Sequence, residues 1–425
     1  MDTEEFATSR VPPERSIVWW KIALTNVLFS LSLPTLITGL QVAQAVPRGR
    51  FLSSMLVGSL VLTAIAIPAG IVGSRSRLST YVLARIAFGS AGSSMLNLAF
   101  ALSLLGWFGV NLNLFGEAMA KLLATLTGYH GSKGIVELLA GLLMTGTTIV
   151  GLRAINRLAI LIVPVLAAVT AWMFVETLKV GALTEALGRG TGNGMSFGDA
   201  VSAVVGGVVV GAVIMPDTSR FIRQPLGAVL VAIFTYFFSG AGVMIVGGLA
   251  GLATDKSDIL ELMLYMGLGV GAFAIVFGGS WIINALNLYS AVLSVGTATP
   301  RVSRSLLTLL CGLGGTVAAF LNILEHFLTF LFYLSIVFVP VGGIIIIDFF
   351  LARPAAYGRD DPMQVGRFEP AALVAWALGA GTAILASEGF LRLSGIAAVD
   401  AFAVGAVAHL MMSWRPGRAV VQVKP

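Results

Sequence analysis

Hydrophobic residues in this chain come in long blocks separated by short polar stretches, without the strict alternation that marks a half-buried strand. A hydrocarbon core about 30 Å thick takes roughly 20 apolar residues per helix. Runs of about that length fall at residues 22–46, 51–73, 95–120, 134–152, 155–178, 197–216, 225–251, 262–292, 303–322, 326–350, 371–388 and 395–413. The pattern predicts an all-α integral membrane protein of about 12 transmembrane helices and not a barrel, whose strands alternate over about ten residues. An even number of crossings puts both termini on one side. Residues 1–20 read as a polar tail, holding Arg10 and Arg15 but no signal-peptide core or cleavage site; residues 414–425 read as a second tail.

Composition agrees. With 57% hydrophobic residues, 11% charged and a mean hydropathy of +0.95, a soluble globule of this length is excluded. Charge adds orientation. Of the 26 basic residues, 18 fall on the N-terminal tail's side, among them Arg75, Arg77, Arg220, Arg223 and Arg353, and 8 on the other. That bias predicts a multi-pass protein of the cytoplasmic membrane with both termini in the cytoplasm, and it accounts for the net charge of +6 without nucleic acid. Cys311 lies in an apolar run, and His130, His326 and His409 are far apart, so neither a disulfide, a metal site nor a cofactor is expected.

The candidate chemistry lies in the polar residues that interrupt the blocks. An amide or carboxylate in hydrocarbon needs a partner or a function. The stretch from Leu104 to Lys121, LLGWFGVNLNLFGEAMAK, carries Trp107, Asn111, Asn113 and Glu117. On a helix Leu104, Trp107 and Asn111 share one face, while Asn113 and Glu117 lie an i, i+4 step apart on another. Helix breakers mark three further spans: Ser30, Ser32, Pro34 and Thr35 in the first, Gly206, Gly207 and Gly211 in the sixth, and Gly278, Gly279 and Ser280 in the eighth. Spans one and six open two consecutive five-helix sets, and breaks at corresponding places point to a transport site near the midplane. A proline kink and close helix packing are the structural alternatives.

LARIAFG at 83–89, GWFGV at 106–110, PDTSRFIR at 216–223, WIINALNLY at 281–289 and PVGGIIIIDFFL at 340–351 together resemble the bacterial cytosine permeases of the nucleobase–cation symporter family. The resemblance runs from about residue 20 to about residue 352. It implies a LeuT-type 5+5 inverted repeat over residues 21–352, with two appended helices in 353–413. It also implies that Trp107 stacks on a flat base. At the family's other base-reading positions stand Leu104, Val208, Val210 and Gly279, so the site is expected either to hold a less polar or larger heterocycle than cytosine or to read it with Asn111, Ser280, Asn284 and backbone near Gly207 and Gly279. The family's sodium site maps to carbonyls near Ser30 and Leu33 and to two hydroxyl positions occupied here by Ile282 and Ile283. Sodium coupling is therefore expected to be lost or weak. Glu117 becomes the candidate proton carrier, with a structural Glu117–Lys121 pair as the alternative. Asp217 and Asp348 read as anchors at helix ends. The expected protein is no enzyme, and HExxH and Ser/Lys signatures are absent. It is a secondary transporter importing a nucleobase or related heterocycle by alternating access, its partners that solute and the lipid bilayer. The alternatives are a LeuT-type carrier of allantoin, hydantoin, a vitamin-precursor pyrimidine or an amino acid, or a non-transporting sensor.

Overall fold

The computed structural model describes residues 6, 8–47, 49–128, 131–150, 152–180, 194–298, 302–359, 361–391 and 393–413. His130 and the C-terminal tail at 414–425 lie outside the described residues. Among those described the chain is helical, and seven helices are long and apolar enough to cross a membrane, with Arg304–Phe320 and Ala397–Ser413 as shorter apolar ones. Leucines such as Leu98, Leu102, Leu143 and Leu310 stand exposed, as the lipid-facing perimeter of a bundle requires. The architecture is the all-helical membrane fold with a LeuT-type core that the sequence leads one to expect.

The first span is broken where its polar residues cluster. Helix Trp19–Ser30 ends, Leu31 and Ser32 leave helical geometry, and helix Leu33–Ala45 begins with Pro34 in its first turn, where a missing N–H costs nothing. Ser32 Oγ and Thr35 Oγ1 hydrogen-bond at 2.9 Å across the break. The second span is Phe51–Ser76.

The third element runs from Thr80 to Thr127, starting well before the expected residue 95, because a short helix precedes the span and turns into it at Gly89. Gly89 holds φ 80° and ψ 171°, a conformation open to glycine and strained for any side chain. The loop before the eleventh span fills that corner, with Ser90 N and Ala91 N donating to the carbonyls of Gly366 and Arg367 at 2.9 and 2.8 Å. The fourth and fifth spans are Lys133–Val150 and Leu152–Lys179.

The sixth span, Phe197–Val213, corrects one expectation. Gly206, Gly207 and Gly211 do not break it; the helix runs through them and ends at Ile214, just before the short turn Pro216–Ser219. Gly206 instead lets two helices touch, since a Cβ there would lie 1.7 Å from the carbonyl oxygen of Leu331. The eighth span, Val270–Ala298, likewise continues through Gly278, Gly279 and Ser280. Between them the seventh span runs from Pro225 to Thr254 with wide, π-type turns over Ile233–Gly240. The carbonyl of Thr235 in that stretch accepts the Ser30 hydroxyl at 3.0 Å, tying the seventh span to the broken first. The tenth span is Phe327–Ile347, and Pro370–Ser387 and Ala397–Ser413 form the appended pair.

Side-chain contacts show which ends lie together. Arg10 in the N-terminal tail donates to carbonyls of Ser76, at the end of span two, and Tyr357, beyond span ten. His409, near the end of span twelve, meets Asp348 at the end of span ten at 2.8 Å. The tail and the ends of spans two, ten and twelve thus share one face, as an even number of crossings demands. On the opposite face Lys121, at the end of span three, pairs with Asp258 at 2.9 Å, and Gln44, at the end of span one, donates to the Lys256 carbonyl.

Candidate functional site

Trp107 sits at a seam. Two large apolar clusters fill the bundle, one built mainly on spans two, three, six and ten and the appended helices, the other on spans one, six and seven; Trp107, Val208 and Phe330 pack against both. The indole is half-buried. Phe327 and Phe330 of span ten meet it edge-on, with centroids 5.9 and 5.4 Å away and planes at 76° and 74°. Such T-shaped arrangements suit the quadrupoles of the rings and fix the indole's orientation. Gly106 makes room for this, since a Cβ there would come within 2.6 Å of the Phe330 ring. The two phenylalanines had a signal in the FLTFLFY run at 327–333, but an aromatic stretch in a membrane helix gives no hint of what it touches.

Asn111, one turn on, is fully buried and donates its amide to the Trp107 carbonyl at 2.8 Å. On span eight Asn284 donates to the Phe108 carbonyl at 3.1 Å and lies 3.5 Å from Met144 Sδ, which braces the eighth span against the third and fourth. Both amide nitrogens are thereby committed, and the side-chain oxygens of Asn111 and Asn284, with the hydroxyl of Ser280 one turn before Asn284, find no hydrogen-bond partner among the described residues. Buried polar atoms without partners are costly, so these three groups could repay a polar ligand. Gly279 is buried, yet among the described residues nothing lies within 4 Å of where its side chain would stand.

The remaining candidates scatter. Gly207 faces Thr38 of the first span, whose hydroxyl lies 3.5 Å from a Cβ built there. Val210 is buried in the larger apolar cluster, and Leu104 is half-buried. Ile282 packs with Ala285 and Leu286 in a small apolar cluster of its own, and Ile283 is half-buried. Ser30 and Leu33 flank the break but part company, since Ser30 binds span seven while Leu33 lines a small cavity toward the opposite face with Glu117, Asp258, Leu260 and Val276.

Glu117 does not pair with Lys121. Lys133, at the start of span four, reaches it at 2.9 Å, and Lys121 turns to Asp258. Local i, i+4 spacing loses here to cations and anions brought in from other elements. Lys133 also lies 3.6 Å from Glu137, a buried carboxylate that no sequence argument singled out.

At the other face Asp348, fully buried, accepts Arg353 Nε and Nη2 at 2.8 and 3.0 Å and the Tyr357 hydroxyl at 2.6 Å, besides meeting His409. Burial pushes the Tyr357 phenol well above its ordinary value, and the Asp348 charge adds to that. Arg353 also pairs with Glu369 at 2.8 Å and donates to the carbonyls of Ile86 and Ala87, so this cluster pins span ten, span twelve and the Gly89 corner together.

An indole at the seam between two helix clusters, in a membrane bundle whose first span is broken, is the kind of arrangement a solute carrier uses. The match to the model for permeases for cytosine/purines, uracil, thiamine and allantoin covers residues 11–417, and the chain belongs to that family. The cytosine permease of Escherichia coli strain K12 is 29% identical over 397 residues, covering 92% of this chain and 90% of that protein. The hydantoin permease of Microbacterium maritypicum is 26% identical over 366 residues, covering 76% and 73%. Among solved structures, the inward-facing conformation of Mhp1 aligns with a TM-score of 0.82 at 17% identity, covering 96% of this chain and 92% of that one.

Proposed function

We propose that this protein is a symporter that imports a nucleobase or closely related flat heterocycle across the cytoplasmic membrane, driven by protons and not by sodium. Trp107 carries the reading. Its half-buried indole stands at the seam between the two clusters with Phe327 and Phe330 steeply inclined to it, and stacking of a planar ring on an indole face is worth roughly 1–3 kcal/mol per base. The partnerless polar atoms of Asn111, Ser280 and Asn284 are the candidates for reading the ring's edge. Family membership supports the substrate class, with cytosine and hydantoin named for its relatives.

Transport would proceed by spans one, two, six and seven rocking against three, four, eight and nine, so that the seam opens to each face in turn. The excess of basic residues on the face bearing the termini supports a cytoplasmic location for that face. Against sodium stand Ile282 and Ile283, whose side chains offer no oxygen to a cation that must replace its hydration shell.

Uptake into proteoliposomes of labelled cytosine, uracil, adenine, hypoxanthine, allantoin and hydantoin tests the substrate class. Trp107→Ala should abolish uptake of whichever ring is carried while the protein stays monodisperse; normal uptake by that variant refutes the assignment. Replacing sodium by choline should leave uptake intact and a protonophore should stop accumulation, whereas a strict sodium requirement refutes the coupling.

A further inference from the structure

We propose that Glu137, and not Glu117, is the residue that takes up the coupling proton, and that Asn113 passes its charge state to the substrate wall. The inference deepens the proton-symport reading above and depends on it. Glu117, Lys133 and Glu137 put two carboxylates on a single cation, so with all three ionised the group carries one uncompensated negative charge. The compensation is unequal. Lys133 Nζ lies 2.9 Å from Glu117 and 3.6 Å from Glu137, and the side chains of Lys133 and Glu117 are each about one-third exposed while that of Glu137 is 3% exposed. The carboxylate with the poorer cation contact is also the one removed from solvent, which is where a neutralising proton gains most.

Among the described residues Glu137 has no second cation. From span three it meets Glu117, the Asn113 amide at 2.8 Å, and Gly116, whose missing side chain admits the Glu137 stem; a Cβ there would lie 2.5 Å from Glu137 Cγ. From span nine the Ala319 carbonyl accepts from Asn113, and among the described residues no titratable side chain of that helix hydrogen-bonds or ion-pairs with Glu137. Lys121 and Asp258 are occupied with each other across the cavity that Glu117 lines. A proton entering from the face opposite the termini meets Glu117 first and Glu137 behind it.

Asn113 makes the connection to the substrate. Its amide donates both to Glu137 and to the Ala319 carbonyl, and its oxygen accepts the Leu324 N–H at 3.4 Å in the turn Ile323–His326. That turn leads straight into Phe327 and Phe330, the two rings against Trp107. A charged Glu137 holds the Asn113 amide more strongly than a neutral one, so protonation loosens the clasp on the turn that positions the stacking wall.

The test is an infrared pH titration of the purified full-length protein in nanodiscs, which needs no substrate. In wild-type minus variant difference spectra, Glu137→Gln should remove one titrating component of the protonated-carboxyl C=O band, and Glu117→Gln should leave that component in place. Lys133→Gln, which keeps both carboxylates and removes their cation, should move that component's midpoint to higher pH. A difference spectrum without a lost component in Glu137→Gln, the loss of the same component in Glu117→Gln, or a midpoint unmoved in Lys133→Gln overturns the proposal; the last arm decides it even if Glu137→Gln does not fold. If the heterocycle reading fails, the uptake panel is silent while these spectra still report on Glu137.

Discussion

Removing the Asp348 carboxylate should loosen the whole face that bears the termini. In Asp348→Ala the Tyr357 hydroxyl and the His409 ring, 2% and 1% exposed, lose the group they bind and cannot reach water. Arg353 is better placed, keeping Glu369 and the carbonyls of Ile86 and Ala87. Two stranded buried groups at about 1–3 kcal/mol each give a loss of roughly 2–6 kcal/mol, in line with the roughly 3–5 kcal/mol for breaking a buried ion pair. On a chain of 425 residues that is a fall of roughly 2–7 °C in the unfolding midpoint. Cys311 offers the assay, because it is the chain's single cysteine and is buried, so a thiol-reactive fluorogenic dye reports unfolding as the thiol comes free. Asp348→Asn, keeping one oxygen, should fall between. Glu369→Gln, at the half-exposed end of the cluster, should cost less than about 1 kcal/mol. A midpoint for Asp348→Ala within a degree of wild type would refute the view that this cluster holds the appended helices to the core.

Three further outcomes follow from the geometry. Gly206→Ala should destabilise by about 1–3 kcal/mol or more, since its Cβ would sit 1.7 Å from the Leu331 carbonyl oxygen, whereas Gly279→Ala, with no described residue within 4 Å of the new Cβ, should keep the same thermal midpoint and alter only substrate selectivity in the uptake panel. Lys121→Ala should cost less than about 1 kcal/mol, because its pair with Asp258 is 47% and 31% exposed and screened by salt; a thermal shift of many degrees would contradict that. The double variant Ile282→Thr with Ile283→Thr should introduce a sodium dependence of uptake absent from the wild type, and uptake indifferent to sodium would show that missing hydroxyls are not what excludes the ion.

What could be read from the sequence was whatever one helix decides by itself. Block length decides the spans, and the cluster of Ser30, Ser32 and Pro34 decides the break at Leu31 and Ser32, since the proline's lost N–H and the hydroxyls' local bonds act within a single turn. The misreadings share a cause. Gly206 and Gly207 look the same whether they break a helix or admit a neighbour, and only the Leu331 carbonyl distinguishes the two. Glu117 and Lys121 have the spacing of a pair, but Lys133 and Asp258 arrive from elsewhere and take both. Glu137, four residues after Lys133, has in sequence only the spacing of an ordinary i, i+4 ion pair. Its meaning comes from Asn113, Gly116 and Glu117 of the preceding span, which bury it and divide its cation. A polar residue in a membrane helix can therefore be flagged from sequence as needing a partner. Which partner it finds, and whether that leaves a charge over, is settled between helices, and it is there that a carrier's coupling chemistry has to be sought.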